Sequence, residues 1–142
     1  MAGTVKQTEG AIGYVELAYA KQNGLPAASL KNAAGEFVLP SVESVTAAAA
    51  GAAQKFPPNT DYRVSIVNAS GKGAYPISSF TYILVYKTQN DATKGKKLLD
   101  FLRWAYTEGE KSAGSLDYAP LPQSLVSRVE TRLDSIQVGA TT

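Results

Sequence analysis

Phe80-Thr81-Tyr82-Ile83-Leu84-Val85-Tyr86 decides how this chain is read. Aromatic, β-branched and aliphatic residues fill it, and these suit a pleated backbone. On an extended chain Phe80, Tyr82, Leu84 and Tyr86 share one face, while Ile83 and Val85 share the other. Two apolar faces predict an inner strand of an α/β sheet, covered on both sides.

Upstream, Ser41 is placed to cap a helix, with Glu43 in the first turn, where the helix dipole favours an anion. Val42, Val45, Ala49, Ala52 and Phe56 follow at helical spacing and define one face. Gly51 inside this stretch costs about 1 kcal/mol relative to Ala. Pro57-Pro58 predicts the helix end. Arg63–Val67 alternates and predicts a strand. Gly10–Leu17 predicts a short buried strand. Ala18–Pro40 has no clean period, with turns at Asn23-Gly24 and Ala34-Gly35 and extended pieces near Ser29–Leu30 and Glu36–Leu39. Asn68–Ser79 is rich in Gly, Ser and Pro, and marks a boundary or crossing segment.

Downstream, a helix is expected from about Asp91 to Thr107. Leu98, Leu99, Leu102, Ala105 and Tyr106 make its apolar face, with Phe101 and Trp104 flanking it. Gly109 and Gly114 are stop signals. The loop Leu116-Asp117-Tyr118-Ala119-Pro120-Leu121-Pro122 leads to a last helix, with Pro122 at or near its first turn. Leu125, Val126, Val129, Leu133 and Ile136 form the stripe of that helix. The tail Gln137–Thr142 is polar and expected to fray. Alternating strands and helices give the class α/β. Three clear strands and three clear helices do not complete a doubly wound sheet, so apolar faces are expected that this chain leaves uncovered.

Composition narrows the chemistry. The 142 residues carry 14 basic and 12 acidic groups, with 44% apolar and 18% charged residues. A chain of this length can bury roughly 70% of its unfolded surface. With no Cys and no His, there is no disulfide, thiolate nucleophile, imidazole base or His-ligated metal. Only an oxygen-ligand cation site stays open. Lys94-Gly95-Lys96-Lys97 is too short to track a nucleic-acid backbone, so no nucleic-acid partner is expected. No stretch reaches the ~20 apolar residues of a membrane span. Met1–Lys6 shows no apolar signal-peptide core, so either the protein is cytosolic or its true N-terminus lies outside this chain.

Few motifs rise above structural readings. Asn68-Ala69-Ser70-Gly71-Lys72-Gly73-Ala74 has the glycines of an anion-cradling loop, but its spacing is not that of a P-loop and no helix follows; it reads as a connecting turn. Glu108, Glu110 and Asp117 lack the ordered alternation of a calcium loop and read as solvated helix ends. Asp61 and Arg63 are placed to pair. Tyr75, Tyr82, Tyr86, Tyr106 and Tyr118 read as core rather than as a stacking platform. Ser78-Ser79 precede a strand, whereas ligands of open α/β sheets favour strand ends, so they read as structural. No nucleophile or acid–base pair is set up. No enzyme, cofactor or metal site is expected.

Four stretches resemble the periplasmic phosphate-binding proteins of bacterial phosphate ABC importers. They are Glu9-Gly10-Ala11-Ile12-Gly13-Tyr14-Val15-Glu16 with Ala18-Tyr19-Ala20, then Ala74-Tyr75-Pro76-Ile77, then Phe101-Leu102-Arg103-Trp104-Ala105-Tyr106, and Leu116–Pro122. The resemblance implies the C-terminal half of a two-lobed (type II) periplasmic binding protein fold, incomplete on its own. It makes residues 1–74 the closing portion of the second lobe and 75–142 the hinge recrossing and return into the first, with Tyr75, Pro76 and Ile77 as hinge. It implies an extracytoplasmic location, phosphate as ligand and an ABC permease as partner of the complete protein. The family's phosphate ligands, including its Arg-x-x-x-Ser-Gly-Thr loop, lie upstream of this chain. No phosphate-binding residue is therefore carried over, and Arg63, Arg103, Arg128 and Arg132 do not match that motif. This chain by itself is expected to bind phosphate weakly or not at all. The competing reading is a stand-alone oligomeric interaction module derived from that fold. Under either reading the partner is the missing N-terminal half or another copy, and a homo-oligomer is expected.

Overall fold

The computed structural model describes residues 1–56 and 61–139. Its helices form where capping and periodicity coincide. Helix α3, Val42–Ala52, opens on a capping box: the Ser44 amide donates to Ser41 Oγ, and the Ser41 amide donates to Ser44 Oγ. A short 3₁₀ turn, Ala53–Lys55, continues it. Pro57-Pro58, expected to end it, lies outside the described residues. The buried face holds Ala49 and Ala52, as expected, with Ser44 and Ala48 beside them; Phe56 beyond the helix is buried too, while Val42 and Val45 are half-buried.

Helix α4, Ala92–Tyr106, is capped by Asp91, whose carboxylate accepts the Lys94 amide at 3.0 Å. Leu99 and Leu102 are buried, and Phe101 and Trp104 stand outside. Two 3₁₀ turns, Gly109–Ser112 and Gly114–Leu116, follow. Helix α5, Gln123–Asp134, begins after Pro122 and buries Leu125, Val126 and Leu133. Two short helices that the sequence reading did not anticipate, α1 (Ala2–Gln7) and α2 (Leu17–Gln22), open the chain.

The strands are few and brief. β1 (Leu30–Lys31) and β2 (Phe37–Val38) pair antiparallel, where extended pieces were expected. β3 (Thr88–Gln89) pairs parallel with β4 (Gln137–Val138). The start of the supposedly frayed tail is thus a strand; 140–142 lie outside the described residues. Gly95 lets α4 approach this pair: a Cβ there would stand 2.7 Å from Gln89 Cβ and 3.0 Å from Val138 Cγ1.

The three expected strands are corrected. Residues 11–16 and 63–66 carry no regular structure, and neither do residues 80–86. Ile12 is 98% exposed and Leu84 97%, so neither segment is buried. A strand is a shared structure, and no backbone hydrogen bond joins residues 80–86 to another described segment. High strand preference without a neighbour leaves an extended, uncovered chain.

Buried side chains fall into two clusters. The first holds Ala48, Ala52, Ile66, Ala69 and Ala74, with Phe80 packed against it. The second holds Leu99, Leu102 and Leu133, flanked by Val85, Val129, Ile136 and Val138. The extended segment 80–86 therefore touches one core with its first residue and the other near its end.

Candidate functional site

The segment 68–78, which leads out of the first cluster, is held by the chain's own polar groups. Glu36 accepts the Gly73 amide at 2.9 Å. Asn32 donates its side-chain amide to Ala74 O at 3.2 Å, while its side-chain oxygen accepts the amides of Ala34 and Glu36. The Tyr75 amide donates to Ser44 O at 3.0 Å, and the Asn68 amide to Pro76 O at 2.8 Å. Ser78, buried, donates to Tyr75 O. Burial pushes the Tyr75 phenol above its ordinary pKa.

These bonds explain the glycine-rich loop. Gly71 and Gly73 take positive φ, as does Asn68, so the chain turns tightly there. One amide that points like an anion donor already holds an anion, the Glu36 carboxylate. The loop is a connecting turn, as its spacing suggested. Asn32 and Glu36 were not singled out from sequence. The available signal was an Asn followed by Ala34-Gly35, the pattern of an Asx turn.

Beside Tyr75 and Ile77 lies a cleft of about 780 Å³, walled by Ile12, Tyr14, Val45, Phe80, Tyr118 and neighbouring residues. A smaller cavity of about 280 Å³ lies between residues 80–85 and α5, where Leu125, Val129 and Leu133 form one wall. Both are mainly apolar, which does not suit a small dianion.

The expected tyrosine core is corrected. Tyr86 is 86% exposed, and Tyr82 and Tyr118 are exposed as well. Tyr106 is half-buried, and burial raises its pKa. Phe56 makes ring contacts at 6.0 Å to Tyr62 and 5.9 Å to Phe80, and the exposed Tyr82 lies 6.3 Å from Phe80. Ser78 is structural, as expected.

Several charged groups are engaged by other residues of the chain. Arg63 binds Asp61 at 2.6 Å, Arg103 binds Asp134 at 2.8 Å, and Arg128 donates to Phe56 O at 3.0 Å. Glu108 pairs with Lys111, and Asp117 with Lys21. Among the described residues no group of three or more acidic side chains is gathered for a cation. No helix there is long and apolar enough to cross a membrane.

A model of the PBP superfamily domain matches residues 1–108. The chain belongs to the PBP superfamily. The α/β content of the structure fits that superfamily. Among similar proteins is a phosphate-binding protein PstS of Xylella fastidiosa, 45% identical over 92% of this chain and 35% of the relative. Another of that name, from Haemophilus influenzae, is 40% identical over 93% of this chain and 39% of its own length. A third, from Methanocaldococcus jannaschii, is 38% identical over 75% of this chain and 30% of its own. The chain thus spans 30% to 39% of the length of these curated relatives. All three are named for binding rather than for a reaction.

Proposed function

We propose that this PBP-superfamily chain is the C-terminal part of a two-lobed, type II extracytoplasmic phosphate-binding protein serving an ABC importer. The groups that touch phosphate lie on polypeptide outside it. The observation that carries this reading is the extent of the match, 45% identity across nearly the whole chain to a protein named for phosphate binding.

Several structural facts support it. Apart from Phe80, the first buried cluster draws on residues before 75, and the second draws on residues from Val85 onward, in keeping with residues 1–74 as the closing portion of one lobe and 75–142 as the return into the other. Tyr75, Pro76 and Ile77 then form the hinge crossing. Leu84 and Tyr86, almost wholly exposed, are residues that another stretch of polypeptide would cover. A buried phosphate dianion needs many convergent donors to offset its desolvation. Arg63, Arg103 and Arg128 are already engaged, and the Gly73 amide holds Glu36.

The test is to join this chain to the part of the Xylella relative that lies outside the match. The joined protein should fold and bind phosphate in calorimetry. A folded, monomeric joined protein that binds none, beside an intact relative that does, would overturn the reading.

A further inference from the structure

Lys21 and Asp117, 96 residues apart, form an ion pair. Lys21 lies in the last turn of α2, and Glu16 stands just before the first. Asp117 follows the second 3₁₀ turn at φ 62, a left-handed backbone that non-glycine residues rarely adopt. Such strained positions concentrate at clamps and switches. The next residue, Tyr118, stands beside Glu16, whose charge pushes the phenol pKa up. Two neighbouring residues of one loop thus meet both ends of one short helix.

The two sides belong to different bodies of the fold. The Tyr118 amide donates to Ala113 O, which ties the loop to the turns after α4; Pro120 and Pro122 then lead rigidly into α5. On the other side, the Leu25 amide donates to Ala20 O, tying α2 to the chain that enters β1. Glu16, Asp117 and Tyr118 line the mouth of the same cleft as Tyr75 and Ile77.

We propose that Lys21–Asp117, with Glu16 against Tyr118, is a clasp that restrains the angle between the two lobes about Tyr75–Ile77; this rests on the two-lobe reading above. The Lys21 side chain is 55% exposed and that of Asp117 21%. An ion pair so placed shifts a two-state population by up to about fivefold, and salt weakens it. A contact of that strength biases a hinge without locking it. Other links between the two sides, Tyr62 Oη to Arg128 O, Arg128 to Phe56 O and Tyr82 Oη to Val64 O, run through backbone carbonyls.

The absence of cysteine permits clean spin labelling of the full chain at Ala50→Cys in α3 and Ser127→Cys in α5, diluted with unlabelled chain. Lys21→Ala should add a longer-distance population to the label-to-label distribution, and Lys21→Asp should add more. Lys21→Asp combined with Asp117→Lys should restore the parent distribution. A control with Gly-Gly inserted between Pro76 and Ile77 reports on the hinge. If the insertion broadens the distribution while the Lys21 variants leave it unchanged, the clasp is refuted and the lobes stand. If neither broadens it, the two-lobe reading fails, and the clasp with it.

Discussion

Gly51 and Ser70 are in backbone contact: a Cβ on Gly51 would lie 1.9 Å from the Ser70 carbonyl oxygen. Ser70 Oγ also donates to Gly51 O at 3.4 Å. A glycine that costs helix propensity is therefore what lets the loop after Ile66 lie on α3 and close the first core. Gly51→Ala gains about 1 kcal/mol of helix preference but forces helix and loop apart. A net loss of about 2 kcal/mol, within the usual cost of overpacking, is expected in urea denaturation. A neutral or stabilising result would show that the contact is not needed.

Ser44 serves three partners at once. Its hydroxyl accepts the Ser41 amide and donates to Leu39 O, and its carbonyl accepts the Tyr75 amide. Ser44→Ala keeps the carbonyl but orphans two neighbours of a buried site, for an expected loss of about 1–3 kcal/mol. Ser41→Ala removes only the cap and should cost about 1 kcal/mol. Ser44→Ala falling well below Ser41→Ala would contradict this arrangement.

Two ionisable groups report local geometry with opposite signs. Arg63 holds the Asp61 carboxyl below its ordinary 3.8 through a side-chain hydrogen bond. Its contribution to stability is present above that value and is lost as pH falls through the lower folded one. In Arg63→Ala, NMR titration should find the carboxyl moved up toward the ordinary value. Tyr118 is raised above 10.0, first by the charge of Glu16. Its contribution is full below 10.0 and is lost as pH rises through the higher folded value. Glu16→Gln should lower the phenol pKa toward the ordinary value in ultraviolet titration; no change would separate the two residues.

Leu84, Ile12 and Tyr86 stand almost fully in water. Apolar surface on this scale favours association. Light scattering on the isolated chain should give masses at multiples of 15.0 kDa that grow with concentration. Leu84→Lys with Tyr86→Lys should shift the population toward monomer. A parent chain monomeric at every concentration would show that these surfaces need no cover.

The helices were legible because each signal is local. Ser41 and Asp91 mark starts, and the apolar residues of α4 and α5 recur on one face. On α3, Ala49 and Ala52 were read correctly, and Ala48 was missed because it is small enough to join Ala52 against Ile66 and Ala69, a contact that depends on tertiary packing. The strands failed for the opposite reason. Phe80–Tyr86 has the composition of a strand, but a strand also needs a partner, and composition says nothing of where one comes from. Gln137–Val138 was hidden by its polarity, because its pairing to Thr88–Gln89 runs through the backbone. The hold of Glu36 on Gly73 joins residues 37 apart through an amide, which leaves no mark in side-chain pattern.

Titration of phosphate into this chain alone, by calorimetry at neutral pH, measures most directly whether its ligands lie elsewhere. No heat beyond dilution is expected up to about millimolar phosphate, a free energy of roughly −4 kcal/mol. Saturable binding at micromolar phosphate or tighter would place the binding groups on these residues and contradict the proposal.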